Sequence, residues 1–205
     1  MSSTDRSHSN LSRKLTVALA AAAAAARTFG ARGGNDTATS SDSAASADST
    51  KFNDADVLFA QSMIPHHEQV IEMTEIALDP AVGAGPEVID IAERIQAAQD
   101  PEIKTMKAWL VQWKKPTQMD ANGGHDMSSM KGMMSADEME KLEASRSSEF
   151  DQLWAAMMIK HHEGAIGMAE DVQADGENAK VKTVASEIIK AQSSEIEELE
   201  KLRDK

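Results

Sequence analysis

Cysteine and tyrosine are both absent from this chain, and aromatic side chains make up only 3% of it. Without thiols there is no disulfide framework, and any soft-metal ligation has to come from methionine rather than thiolate. Long apolar runs are missing too. The longest uncharged, mostly alanine stretch, residues 15–26, has twelve residues, short of the roughly 18 that a membrane-spanning helix needs. Basic residues are scarce where they would matter for nucleic acid. Residues 1–32 hold five bases and one acid, which leaves 16 bases against 33 acids, a net charge of −17, for the remainder. A surface of that sign repels nucleic acid and draws in cations.

With 205 residues the expectation is one domain plus extensions. Ala, Glu, Lys, Met and Gln dominate the latter part, a helical composition, so the chain is expected to be all-α. Arg13 and Lys14 followed by the short apolar run predict an export signal over residues 1–32. The segment from Thr28 to Gly34 resembles a bacterial lipoprotein cleavage site, but Arg32 stands where the lipid-accepting cysteine would be. Membrane association is therefore expected only through an uncleaved signal, and the location is extracytoplasmic, either secreted or in the cell envelope. Residues 33–50 carry no large apolar side chain and predict a disordered linker.

Four helices are expected over residues 51–205. The first is capped by Asn53 or Asp54 and runs to about Leu78. The second starts at Pro86 and reaches about Trp113, with Asp100-Pro101 as a candidate kink. The third follows the capping box Ser135-Ala136-Asp137-Glu138 and continues to about Gln173. The last starts near Asn178. These helices are two copies of one hairpin. Met63-Ile64-Pro65-His66-His67-Glu68 returns as Met158-Ile159-Lys160-His161-His162-Glu163. Ala92, Ile95, Gln99, Glu102, Ile103 and Met106 match Ala185, Ile188, Gln192, Glu195, Ile196 and Leu199. Two hairpins that each expose one apolar stripe bury it against each other, which predicts a pseudo-two-fold four-helix bundle. The connection over residues 114–134 is long enough to cross the bundle or to turn back at one end.

Four of the six histidines stand in the repeated motif. Phe59, Met63, His66, Val70, Met73 and Ala77 recur at the spacing of an inward helical seam, and Trp154, Met158, His161, Ala165, Met168 and Val172 repeat it. His67 and His162 lie about 100° further round and border the core. Met63 is within one turn of His66 and His67, as Met158 is of His161 and His162, so one ion could touch all three side chains. Imidazole and thioether together favour copper: nitrogen suits Cu(II), sulfur suits Cu(I), and zinc gains little from thioethers. The ordinary explanation is packing, with core histidines satisfied by hydrogen bonds. Four imidazoles at equivalent positions weigh against it, because each needs a partner when buried and clustered imidazoliums repel. Glu68 and Glu163 are candidate outer ligands or acceptors that orient an imidazole.

The connection adds His125, Met127, Met130 and Met133 in a polar, glycine-rich setting, with the methionines three apart. That spacing lets several thioethers close on one soft ion, and it equally fits a loop that docks methionines onto the bundle or binds a partner helix.

Through the duplicated Met-x-x-His-His pattern, each followed by an apolar helix reaching Met73 or Met168, the chain resembles the domain-of-unknown-function-305 family over about residues 52–202. The resemblance implies a ferritin-like helical bundle, outside the cytoplasm, and similarity to copper proteins that use Met63, His66, His67, Met73, Met158, His161, His162 and Met168. No catalysis is expected: di-iron bundles need Glu-x-x-His, and Met63, Ile64, Met158 and Ile159 occupy the places where glutamate would stand. The expected role is copper sequestration, resistance or transfer, with an envelope protein giving or receiving the ion. The alternative is a metal-free helical interaction module of the cell envelope.

Overall fold

The computed structural model describes residues 51–117 and 130–205. The export signal and linker expected over residues 1–50, together with His125 and Met127, lie outside the described residues. Five helices are present among those described: α1 Asp54–Leu78, α2 Pro86–Gln112, α3 Ala136–Ala144, α4 Ser147–Asp175 and α5 Ala179–Arg203. None is long and apolar enough to cross a membrane.

The helix ends are set by local chemistry. Asn53 and Asp56 form a reciprocal capping box at α1, and Ser135 with Glu138 does the same at α3. Pro86 opens α2, where its missing N–H costs nothing, and α2 runs through Asp100-Pro101 as one element. The Asn178 side chain accepts from the Lys180 and Val181 amides at the start of α5.

In one place the expected helix is two. The run from Ser135 to Gln173 breaks at Ser145 and Arg146, both extended, and Ser147 takes a positive φ of 54°. The break is held by tertiary contact. The Ser147 amide donates to the Val82 carbonyl at 3.0 Å, and the Ser145 hydroxyl turns back to the Leu142 carbonyl at 2.7 Å. Periodicity continued across the gap, so the sequence pattern did not reveal it.

Helices α1 and α2 form one hairpin, α4 and α5 the other, and the two meet chiefly through α1 on α4. α1 and α4 are antiparallel: the Asn53 side chain reaches the Asp175 carbonyl, and the Trp154 indole donates to the Met73 carbonyl at 3.0 Å. A carboxylate clamp repeats at the two ends of this pair. Asp56, fully buried, accepts from the Asn178 amide in the α4–α5 turn, and Asp151, its repeat equivalent, accepts from the Gly85 amide in the α1–α2 turn. The end of α2 stacks Trp113 on Phe52 beside the start of α1, whereas α4 begins against Val82 at the opposite end. The connection therefore crosses the length of the bundle, giving the up-down-down-up order of ferritin-like folds.

Two apolar clusters fill the interior. One holds Val70, Met73, Ile95, Phe150, Trp154 and Met158, and the other Phe59, Met63, Met106, Leu110, Ala165 and Ile188. Between them lies a polar layer.

Candidate metal centre

The polar layer is built from the repeated motif. Because α1 and α4 run antiparallel, residues equivalent by the repeat meet at mid-height, and His66 faces His161 with ring centroids 3.6 Å apart and planes tilted by 48°. All four motif histidines are wholly buried. Desolvation lowers the His66 pKa from 6.5 to about 3, with the neighbouring His67 and His162 charges adding to the effect against a hydrogen bond that raises it. His161 is pushed well below 6.5, again by burial first and then by His66, His162 and His67. The inner pair is therefore neutral at ordinary pH, with lone pairs available to a cation.

The outer pair is held from the second helix of each hairpin. His67 Nε2 lies 2.8 Å from Glu102 Oε2 and His162 Nε2 lies 2.7 Å from Glu195 Oε2. A carboxylate accepts, so Nε2 is the donating nitrogen in both rings, and Nδ1 points away from the carboxylate. This corrects the expectation for Glu68 and Glu163. Glu68 instead pairs with Lys107 at 2.7 Å, and Glu163 is exposed. Glu102 and Glu195 were visible as matched repeat positions, yet nothing in their local spacing showed that they face a histidine on the neighbouring helix.

The layer is rich in unmet hydrogen-bonding capacity. His66 Nε2 lies 3.3 Å from the Lys131 carbonyl, a long contact. Among the described residues no hydrogen-bond partner reaches His66 Nδ1, His67 Nδ1, His162 Nδ1 or either nitrogen of His161. Gln99 and Gln192, matched repeat positions 3% exposed, also have amide atoms without partners. Buried polar atoms without partners cost roughly 1–3 kcal/mol each, which makes such a concentration unusual for a layer that only packs.

Methionines of the repeat stand in the apolar layers on either side. Met63 and Met158, both fully buried, belong to the two different apolar clusters. Each precedes its histidine by three residues, about 4.5 Å along the axis, so one methionine stands about one helical turn from the imidazole pair on each side. Met73 and Met168 follow their histidines by seven residues, about 10 Å along the axis, and are not brought to the pair. Met73 is level with Trp154, and Met168 lines a surface groove with Met130. Met133 is half-buried in the connection. The expectation that one ion meets a complete motif is therefore narrowed to Met63, His66, Met158 and His161, with His67 and His162 beside them. Among the described residues no three His, Asp or Glu side chains form a ready cation cage, so a metal shell here would have to draw on thioether sulfur or on a shift of the outer imidazoles.

The profile of one family of domains, DUF305, matches residues 56–203. The chain belongs to the DUF305 family. Among solved DUF305-like structures, CopM in its Cu(II)-bound form is similar at 32% identity, over 73% of this chain and 95% of that one, with a TM-score of 0.60. CopM in its Cu(I)-bound form matches at 31% identity over 71% and 93% of the two chains, TM-score 0.58. A DUF305 protein of Streptomyces coelicolor, described as secreted, matches at 28% identity over 71% and 89%, TM-score 0.63. Comparison with curated proteins gives no match.

Proposed function

We propose that this DUF305 chain is an exported copper-binding protein that holds the ion between its two hairpins, for sequestration or hand-over rather than catalysis. The observation that carries the reading is the contact of His66 with His161, neutral imidazoles from the two halves of a duplication, with the buried Met63 and Met158 one helical turn away in sequence. Nitrogen and sulfur together suit both oxidation states of copper. The binding of Cu(II) and Cu(I) by CopM, and the secreted description of the Streptomyces relative, support the same assignment for metal and location. Glu102 and Glu195 would fix the outer imidazoles so that Nδ1 is the nitrogen offered to an ion. Copper delivery or withdrawal by another envelope protein, and a part for Met130 and Met133 in capture, belong to the proposal.

One observation favours the rival, a metal-free interaction module: His67 and His162 already have carboxylate partners. Competition for Cu(I) against a chromophoric chelator separates the two. The full chain is expected to take Cu(I), and His66→Ala with His161→Ala is expected to weaken binding by at least about 100-fold with helicity unchanged by circular dichroism. Equal binding by the double variant would refute the proposed centre.

A further inference from the structure

The two copies of the motif differ at the residue after His-His-Glu, which is Gln69 in α1 and Gly164 in α4. Both hold the same piece of the crossover. Gln69 clamps Met134 at two points, its Nε2 donating to the Met134 carbonyl at 2.9 Å and its Oε1 accepting from the Met134 amide at 2.7 Å. Gly164 clears the way on the other helix. A Cβ there would lie 2.1 Å from the Lys131 carbonyl oxygen and 2.8 Å from Gly132 Cα. Gly132 has a φ of +88°, and a Cβ on it would lie 2.9 Å from the Lys160 carbonyl and 3.1 Å from that of His161. Residues 131–134 thus stretch from α4 to α1 at the height of the imidazole pair, and the Lys131 carbonyl faces His66.

Above and below, the pair is closed by the two apolar clusters, and α2 and α5 lie behind it. Among the described residues, the strap is the non-helical segment seen in contact with it, through the Lys131 carbonyl. Its outer side opens on the groove lined by Met130, Lys131, Met168, Asp171 and Asp175, where carboxylates attract a cation and thioethers suit a soft one. We propose that residues 130–134 are the gate of the His66–His161 centre, and that a soft metal ion enters and leaves when this strap lifts. The inference rests on the copper reading above and adds its kinetic control. The Lys131 carbonyl accepts a hydrogen bond from His66 Nε2–H, which leaves Nδ1 for the ion, so a loaded centre is compatible with a closed strap. The gate then sets rates and leaves affinity nearly unchanged.

The test uses the full chain loaded with Cu(I), its release followed by transfer to a chromophoric chelator. Gln69→Ala removes the clamp, and loss of two hydrogen bonds is expected to raise the open population, and with it the release rate, about tenfold. Gly164→Ala displaces the strap from the other helix and should act in the same direction. Both variants are expected to keep their equilibrium affinity within about threefold. Asp151→Ala, which frees the Gly85 amide at the end of the bundle, should release at the wild-type rate. Hydrogen exchange at the Met134 amide reports the strap itself and should quicken in both strap variants. Faster exchange with unchanged release would overturn the gate while leaving the metal centre standing. Unchanged exchange in Gln69→Ala would overturn the clamp on which the gate depends. No Cu(I) uptake by the wild-type chain would remove the centre and the gate together.

Discussion

The two copies of the repeat are alike where they face each other and unlike where they face the crossover. Met63 and Met158, His66 and His161, Glu102 and Glu195, Asp56 and Asp151 make matched contacts about a pseudo-two-fold axis. At Gln69 and Gly164, and at Pro65 and Lys160, the match ends, because one strap passes over both helices and a single strap cannot be symmetric. Lys160 reaches Glu138 on α3 at 2.9 Å, a contact available only on the side where the crossover descends. The lesson is that interior positions answer to the partner hairpin and surface positions to the connection.

The largest expected test of this equivalence is in the apolar layers. Phe59 and Trp154 occupy the same repeat position, 4% and 0% exposed. Truncation of either to alanine is expected to cost about 3–5 kcal/mol in chemical denaturation. Trp154→Ala should be the more harmful, since it also removes the hydrogen bond from the indole to the Met73 carbonyl. A reversed order would mean that the two ends of the bundle pack differently from their contacts.

Smaller losses are expected at the carboxylates. Glu195→Ala and Glu102→Ala each leave a buried imidazole N–H without its acceptor, a cost of roughly 1–3 kcal/mol. The Glu195 side chain is 13% exposed and that of Glu102 23%, so water replaces the latter more easily and Glu195→Ala should cost more. Indistinguishable values would show that solvent reaches both rings alike.

The finest test concerns the inner pair. Above pH 6.5 His66 and His161 are neutral whether the chain is folded or not, and their effect on stability is constant. As pH falls below 6.5 the unfolded chain binds protons that the folded one refuses, so stability declines progressively towards about pH 3 for His66. His161→Leu removes two nitrogens that lack partners. It is expected to flatten that decline and to gain about 1 kcal/mol at neutral pH. His66→Leu should gain less, because it gives up the Lys131 contact. Urea denaturation between pH 4 and pH 7 measures both.

Much of this was legible in the chain. Period-seven seams placed Met63, His66, Met158 and His161 inward, and caps at Asn53, Ser135 and Asn178 marked helix starts, because those signals are local. The duplication predicted two hairpins, and the contact of α1 with α4 realises them. What escaped depended on distant partners. The acceptor for each outer histidine comes from a separate helix, the break at Ser145 depends on Val82, and the crossing of the connection depends on which end α4 starts from. Met73 and Met168 shared the seam with the histidines, but a common face does not give a common height.

A centre lying on the axis between two related halves has a consequence for how it could arise. A lone α1–α2 hairpin meeting its own double would already bring two identical imidazoles face to face, so the arrangement needs only half the present gene. Joining the halves in one polypeptide leaves that facing pair as it was. It lets the twins diverge, and that freedom gave one helix a glutamine, the other a glycine, and both a shared strap.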